Sequence, residues 1–351
     1  MSPFFILSCI GVYFVMLLVI AWITGRHADN NSYFLGNKAS PWYVVAFGMI
    51  GDSLSGVTFI SVPGSIGKDQ FSYFQVVLGY GLGYAVIAWV LLPLYYRLNL
   101  TSIYSYLRGR FGPTAQKTGA GFFIVSRTLG AAARLYLAAS IIQIFVFDRW
   151  GIPFALSAAA IIGLILAYTI KGGIKTLVWT DSFQSAFLLL GVILSITAIM
   201  NQLGLGLRDL VPTITGSPHS QVFFWDWRQP DYFWKQFLSG AFLAVVMNGL
   251  DQNMMQKNLS CRSLRDAQKN ICSFAFVAVL VNLLFLSLGA LLFTFAEARG
   301  IAIPAATDRL FPMLALEQHL GLFAAVVFVN GLTAATFNRA DSVLTTVPTS
   351  V

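Results

Sequence analysis

A membrane-length apolar stretch with a polar, glycine-rich centre is the feature that most constrains this fold. It runs from Pro41 to Gly67, PWYVVAFGMIGDSLSGVTFISVPGSIG, with Asp52 in its middle. Lipid offers no hydrogen bonds, so irregular backbone at that depth persists only where it lines a cavity or is buried in protein. An interrupted helix there frees carbonyl oxygens for a small cation and helix ends for a polar solute. The stretch indicates either such a site or a packed glycine-rich helix with a satisfied Asp52.

The composition predicts a multispanning membrane protein. Hydrophobic residues make up 57% of the chain and charged residues 10%, whereas a soluble domain of this size needs a far more charged surface. The first apolar run, from Phe4 to Ile23, is long enough to span a bilayer and no small-residue cleavage site follows it, so it is predicted to be retained. Three scattered cysteines, Cys9, Cys261 and Cys272, are too few for a disulfide framework or a metal site.

Nine apolar segments are predicted to cross the membrane as helices, which makes the chain an all-α protein with a single transmembrane domain over residues 1–351. The predicted spans lie near 3–23, 41–67, 75–96, 118–147, 152–170, 176–200, 236–255, 271–296 and 321–346.

Basic residues in the predicted loops sort to one side of the membrane. The net charge of +8 comes mainly from one set of loops, while the opposite loops balance their basic residues with acidic ones. The positive-inside rule places the basic set in the cytoplasm and the N-terminus outside. The excess charge is therefore a topology signal, which predicts weak contact with anionic lipid and no nucleic-acid binding. The basic set comprises Arg26, Lys38, Arg97, Arg108, Arg110, Lys117, Lys171, Lys175, Lys257, Arg262, Arg265 and Lys269.

Few charged residues remain at membrane depth once the loops are assigned. A charge at the bilayer centre costs about 2.5–3.5 kcal/mol on insertion scales, so each needs a partner or a function. These residues are Asp52, Arg127, Arg134, Asp181, Arg339 and Asp341, with Asp251 at the inner end of a span.

The acid at Asp181 has hydroxyl and amide neighbours in the sequence TLVWTDSFQSAF. Carboxylate and hydroxyl oxygens suit a hard cation such as sodium, by analogy with calcium and magnesium. The alternative is that Asp181 pairs with a buried arginine.

Two arginines, Arg127 and Arg134, are two helical turns apart and share a helix face. One of them can clamp a substrate carboxylate through its planar guanidinium. The alternative is a structural pair with Asp52, Asp181 or backbone carbonyls.

Asn248 and Gln252 are one turn apart in the predicted seventh span. They either line a polar cavity or bond to neighbouring helices.

The GDSLSG sequence at 51–56 also resembles the nucleophile block of GDSL-type hydrolases. That chemistry requires a serine relayed to a histidine and an acid on an exposed turn. Here the serine lies in an apolar span and the histidines, His27, His219 and His319, lie in loops. The sequence therefore predicts that the protein is not an enzyme.

Six blocks along the chain resemble the sodium/solute symporter family. They are SYFLGN from Ser32, GDSLSGVTFISVPG from Gly51, TSIYSYLRGRFG from Thr101, YTIKGGIKTLVWTDSFQ from Tyr168, DQNMMQKNLSCRSLRDAQKN from Asp251 and GLTAATFNRADSVLTT from Gly331. The resemblance implies a LeuT-like inverted-repeat helix bundle. It places an extra N-terminal helix at 3–23, a first five-helix repeat at 41–200 and a partial second repeat at 236–351, which lacks its last two helices. This implies a truncated or frame-shifted reading of a longer gene.

The same resemblance implies two sodium sites. The main one takes backbone oxygens of Gly51, Leu54 and Ala335 and two hydroxyl oxygens of the ninth helix. A second sodium, held by some members, would lie near Asp181, Asp341 and Ser342.

Where the family usually has two adjacent hydroxyl residues, this chain has Asn338 and Arg339. An arginine cannot ligate a cation. Arg339 either occupies the main site as a tethered charge or turns away, pairing with Asp341 or snorkelling to the interface. In the second case Asn338 supplies a side-chain oxygen.

The sequence hypothesis is a sodium-coupled symporter that moves a small polar organic solute by alternating access, with sodium as the coupling ion and no other cofactor. The expected location is the plasma or inner membrane. The alternatives are the membrane domain of a signalling sensor and a non-functional truncated transporter. The expected solute-binding residues are Ser55, Thr58, Arg134, Asn248 and Gln252.

Overall fold

The computed structural model describes residues 3–25, 39–54, 56–100, 102–169, 173–317 and 319–335, and these form a bundle of helices. The helices are α1 Pro3–Gly25, α2 Trp42–Ser53, α3 Gly56–Asp69, α4 Tyr73–Arg97, α5 Ile103–Phe111, α6 Pro113–Ile142, α7 Phe154–Thr169, α8 Gly173–Gln202, α9 Leu210–Thr215, α10 Phe233–Ala244, α11 Gln252–Leu259, α12 Leu264–Ala298, α13 Leu310–Leu316 and α14 Leu322–Ala335.

Four described helices are long and apolar enough to cross a membrane, namely α1, α4, α8 and α12. The pair α2 and α3 counts as a fifth if the two form one bent span. The helices α7 and α14 are apolar but shorter. The all-helical membrane fold predicted from the composition is confirmed, whereas the count of nine spans stays a prediction.

The predicted span 41–67 is interrupted where its glycines and serines cluster. Helix α2 ends at Ser53, and Leu54 has extended backbone, with φ −94 and ψ 111. Helix α3 begins at Gly56 and is bent by 58° from α2. The break expected from the sequence is therefore present, directly after the polar end of α2.

The predicted span 236–255 is also interrupted, which corrects the expectation of Asn248 and Gln252 one turn apart on one helix. After α10 a π turn covers Val245–Gly249, and Asp251 has extended backbone and caps α11 by accepting a hydrogen bond from the Met254 amide at 3.0 Å. An aspartate that caps a helix satisfies one of its free amides. The sequence at Asp251 therefore begins a new helix.

Helices α4 and α10 cross with their backbones in contact, because glycines lie at the crossing. A Cβ atom at Gly79 would overlap the carbonyl oxygen of Phe237, and one at Gly240 would overlap the carbonyl oxygen of Val76. Gly83 lies one turn beyond Gly79 and faces the Ala241 carbonyl in the same way. Small residues four apart are the usual means of close helix approach in membranes, so this crossing fixes α10 against α4.

Candidate functional site

Serines of α8 hold the helix that precedes the first break. The Gly51 amide donates a hydrogen bond to Ser185 Oγ at 2.8 Å, and Ser182 Oγ donates to the Val44 carbonyl at 2.9 Å. Gly48 lies between them and allows close approach, since a Cβ there would lie 3.2 Å from Asp181 Cβ. These contacts place Asp181 of α8 directly beside the last turns of α2.

Three buried charges meet between α2, α8 and α11. Lys257 Nζ lies 2.5 Å from Asp181 Oδ2 and 3.4 Å from Asp52 Oδ2. The lysine side chain is 1% exposed and both acids are 0% exposed. Asn253, one turn before Lys257, donates a hydrogen bond from Nδ2 to Asp52 Oδ2 at 2.7 Å. We call Asp52, Asp181 and Lys257 the charge triad.

The assignment of Lys257 to a cytoplasmic loop was wrong. Although QNMMQKNL is polar enough to resemble a loop, all eight residues of α11 are buried. The polar side chains are buried because they bind one another and the flanking helices, as when Asn270 Nδ2 donates to Asn258 Oδ1 at 2.7 Å. The aspartate before this run, which caps α11, is the sequence signal that could have identified it as a helix.

Asp181 and Arg127 both form ion pairs, but with partners that differ from those expected. Among the residues that the structure describes, Asp181 pairs with a lysine, whereas an arginine was expected. Arg127 of α6 binds Asp251, with Nη2 2.5 Å from Oδ2, and not Asp52 or Asp181. Arg127 is 18% exposed and Asp251 is 1% exposed, so this second ion pair ties α6 to the residue that begins α11.

Side chains on both sides of the break before α11 bind neighbouring helices. Gln252 Oε1 accepts a hydrogen bond from the Ile103 amide at the start of α5, at 2.9 Å. Tyr95 of α4 donates to the Gly249 carbonyl at 3.2 Å. Asn248 donates to the Tyr84 hydroxyl at 3.1 Å. The structure thus directs Asn248 and Gln252 to different neighbours, on opposite sides of the break.

The start of α2 and the end of α11 lie on the same side of the bundle. The Ser40 amide, just before α2, donates to the Ser260 carbonyl, just after α11, at 3.2 Å. Tyr96 Oη donates to the Asn258 carbonyl at 3.0 Å from the end of α4. The charge triad therefore lies between the two helix breaks and the hydrogen bonds that join the start of α2 and the end of α4 to the end of α11.

Only some of the expected site residues lie within the part of the chain that the structure describes. Gly51, Leu54 and Ala335 are buried, and Thr58 is half-buried in the first turn of α3. The residues that lie outside the described part of the chain are Ser55, Asn338, Arg339, Asp341 and Ser342, together with the side chain of Arg134.

Comparison with known proteins gives one family and one fold. A model of the sodium:solute symporter family matches residues 33–345. Sodium-coupled monocarboxylate transporter 2 of Bos taurus is 25% identical over 97% of this chain and 55% of its own length. The sodium/sialic acid symporter SiaT of Proteus mirabilis is 24% identical over 95% of this chain and 66% of its own.

The fold matches a solved structure of a sodium-coupled sialic acid symporter in a substrate-bound, outward-open state. The TM-score is 0.85 at 20% sequence identity, and the match covers 98% of this chain and 73% of that one. The LeuT-like helix bundle implied by the sequence is therefore confirmed as the fold. The chain spans between about half and two thirds of the length of these two curated relatives.

Proposed function

Because the chain belongs to the sodium:solute symporter family, we propose that it is part of a secondary transporter that couples uptake of a small organic anion to sodium entry. The family match shows that the chain is related to transporters, and it argues against a hydrolase function for GDSLSG. The protein is a multi-pass membrane protein. Sodium is its proposed coupling ion.

The observation that supports this proposal most strongly is the pair of helix breaks that lie beside one buried ionic cluster. Discontinuous helices at the midplane are where transporters of this kind hold substrates and coupling ions. The carbonyl oxygens of Gly51 and Leu54 lie at the first break and are our proposed sodium ligands, together with Ala335 and Asn338. We propose that the adjacent Arg339 turns away from this site.

A second sodium is proposed at Asp181, with Asp341 and Ser342. Asp181 is buried beside the last turns of α2, where Gly48 allows α2 and α8 to approach closely. Carboxylate and hydroxyl oxygens are suitable ligands for a hard cation.

A carboxylate is the proposed chemical class of the solute. The names of the compared relatives specify monocarboxylates and sialic acid, and both ligands carry a carboxylate. Arg127 is engaged with Asp251, which leaves Arg134 as the arginine of α6 that we assign to the solute. The residues proposed to complete its surroundings are Ser55, Thr58, Asn248 and Gln252.

We expect Arg134→Lys to raise the solute concentration for half-maximal uptake by about tenfold or more. An ammonium cannot reproduce the bidentate contact between a guanidinium and a carboxylate. The measurement is uptake of radiolabelled lactate and of sialic acid into proteoliposomes, driven by an inward sodium gradient, with choline replacing sodium as the reference.

The control is Arg110→Lys, since Arg110 is exposed on α5, and this variant should transport like the parent. Uptake that does not depend on sodium would contradict the proposed coupling. Uptake of neutral solutes alone would contradict the carboxylate assignment and the role of Arg134.

The proposed orientation places the N-terminus outside and α5 in the cytoplasm. Cysteine labelling can test this orientation. The loop charges place Ser217 outside, but Ser217 is buried and accepts a hydrogen bond from the His219 amide, so a cysteine there is a poor labelling site. Exposed positions are Arg110 in α5 and Gln229 in the loop before α10. We expect an impermeant maleimide to label Gln229→Cys in intact cells and to label Arg110→Cys only after permeabilisation.

The native cysteines that could also react with the maleimide are removed first, which requires two substitutions. Cys9 and Cys272 are replaced by serine, while Cys261 stays, because burial, assisted by the nearby Asp266, raises the pKa of its thiol to about 12. Its reactive thiolate is therefore scarce at neutral pH. The opposite labelling pattern would reverse the proposed orientation.

A further inference from the structure

The charge triad contains more negative than positive charge. Its two carboxylates and one ammonium give a formal charge of −1 in a place where all three side chains are buried. The ammonium is nearer to Asp181 than to Asp52 by 0.9 Å, the difference between 3.4 and 2.5 Å. Asp181 Oδ1 is a buried oxygen with no hydrogen-bond partner among the described residues. One carboxylate oxygen of this acid therefore remains for a cation.

We propose that Lys257 is a tethered competitor of sodium at Asp181, and that Asp52 receives the ammonium when sodium binds. This inference rests on the proposed sodium coupling and adds a residue that sets the affinity of the second sodium site. Two positive charges at one carboxylate repel each other strongly in a buried site. Sodium bound at Asp181 therefore weakens the close Lys257–Asp181 contact, and that contact in turn weakens sodium binding.

Asp52 makes the exchange possible without exposing the lysine. A buried ammonium that loses its acidic partner is a costly uncompensated charge. Here the ammonium already contacts Asp52 at 3.4 Å, so a short movement transfers it from one acid to the other. Asn253 holds Asp52 in place through its 2.7 Å hydrogen bond. With sodium bound, two cations and two carboxylates give a neutral cluster.

The exchange connects sodium to both broken helices. Asp181 lies on α8, Asp52 on the last turn of α2 and Lys257 on α11. Sodium binding would loosen α11 from α8 and tighten it against α2. The proposed sodium site is thereby linked to the hydrogen bonds that join the start of α2 and the end of α4 to the end of α11.

The test measures sodium binding alone, without solute. Purified protein in detergent is titrated with sodium chloride by calorimetry, at constant ionic strength kept with choline chloride. The binding component that disappears in Asp181→Asn defines the second site. Thermal unfolding of each variant checks that the protein is folded.

We expect opposite effects from the two partners of Asp181. Lys257→Gln removes the competitor and should tighten sodium binding at this site by about five- to 150-fold, the usual range of coupling between two ligands. Asp52→Asn removes the second acid, commits the ammonium to Asp181 and should weaken sodium binding by a factor in the same range. The double variant Asp52→Asn/Lys257→Gln should bind sodium more tightly than the parent. Lys257→Arg keeps a positive charge that competes with sodium, so this variant should bind sodium about as weakly as the parent.

The matched controls are Lys269→Gln and Asp69→Asn, which remove the same charges from exposed positions and should leave the affinity unchanged. A purely structural triad would lower the stability of the variants without opposite changes in sodium affinity, and that result would overturn the exchange. So would a sodium isotherm that Asp181→Asn does not alter.

The two proposals fail in different ways. Sodium-driven uptake with no response of sodium binding to Lys257→Gln and Asp52→Asn overturns the exchange and leaves symport intact. Opposite changes in sodium affinity without sodium-driven uptake support the exchange and overturn symport.

Discussion

Gly79→Ala is expected to destabilise the protein by about 3 kcal/mol, while Gly81→Ala, two residues away on the same helix, should cost nothing. A methyl group at Gly79 would overlap the backbone carbonyl of Phe237, whereas one at Gly81 meets no atom within 4 Å. A backbone carbonyl cannot rotate away as a side chain does, so α4 and α10 must separate. Overpacking of this kind typically costs about 1–3 kcal/mol, occasionally more.

The two variants share a chemical change and a helix, so helix propensity cancels between them. Thermal unfolding in detergent measures the difference, and Gly240→Ala, on the other side of the crossing, should resemble Gly79→Ala because its methyl group would overlap the Val76 carbonyl. Equal melting temperatures for Gly79→Ala and Gly81→Ala would show that α4 and α10 do not pack through these glycines.

Arg127→Met is expected to lower the free energy of unfolding by about 3 kcal/mol. It leaves Asp251, 1% exposed, without the guanidinium 2.5 Å away. Removing one partner of a buried ion pair costs about 3–5 kcal/mol, and the partial exposure of Arg127 favours the lower end of that range. The measurement is chemical or thermal unfolding of the purified protein in detergent.

A double-mutant cycle separates this ion pair from the helix cap. Asp251→Asn removes the charge but keeps a side-chain oxygen for the Met254 amide, and asparagine caps helices as well as aspartate does. The double variant should therefore regain much of the stability lost in Arg127→Met. Arg262→Met, at an exposed position, is the control. If the double variant loses the sum of the two single losses, Arg127 and Asp251 do not interact.

The first helix break could be predicted from the sequence because its cause is local. Glycines, serines and an acid inside a membrane-length apolar run are tolerated only beside a cavity or within packed protein. The backbone of Leu54 is extended where that reasoning places the interruption. The all-helical membrane fold follows in the same way from long apolar runs, each of which is visible without knowledge of its neighbours.

The burial of Lys257 could not be predicted, because the two acids that stabilise it there are distant in the chain. Lys257 is followed by basic residues and preceded by polar ones, which is the pattern of a cytoplasmic loop. It is buried only because Asp52 and Asp181 come to it from other helices. Similarly, the four-residue spacing of Gly79 and Gly83 is visible in the sequence, but it does not reveal that α10 is the partner.

The charge triad also has consequences for how the chain is made. Asp181 precedes Lys257 by 76 residues, and Asp52 precedes both. At about 5–20 residues per second, a ribosome takes roughly 4–15 s to reach the lysine after it has completed Asp181. During that interval Lys257 is not yet available to the two acids, and an isolated ionised carboxylate is not stable in lipid. The helices that carry these acids must then remain near water, with an insertion factor or with a bound proton until α11 emerges. The charge triad can therefore form only after α11 has been synthesised, and until then the incomplete chain carries two acids without the lysine that contacts them in the folded protein.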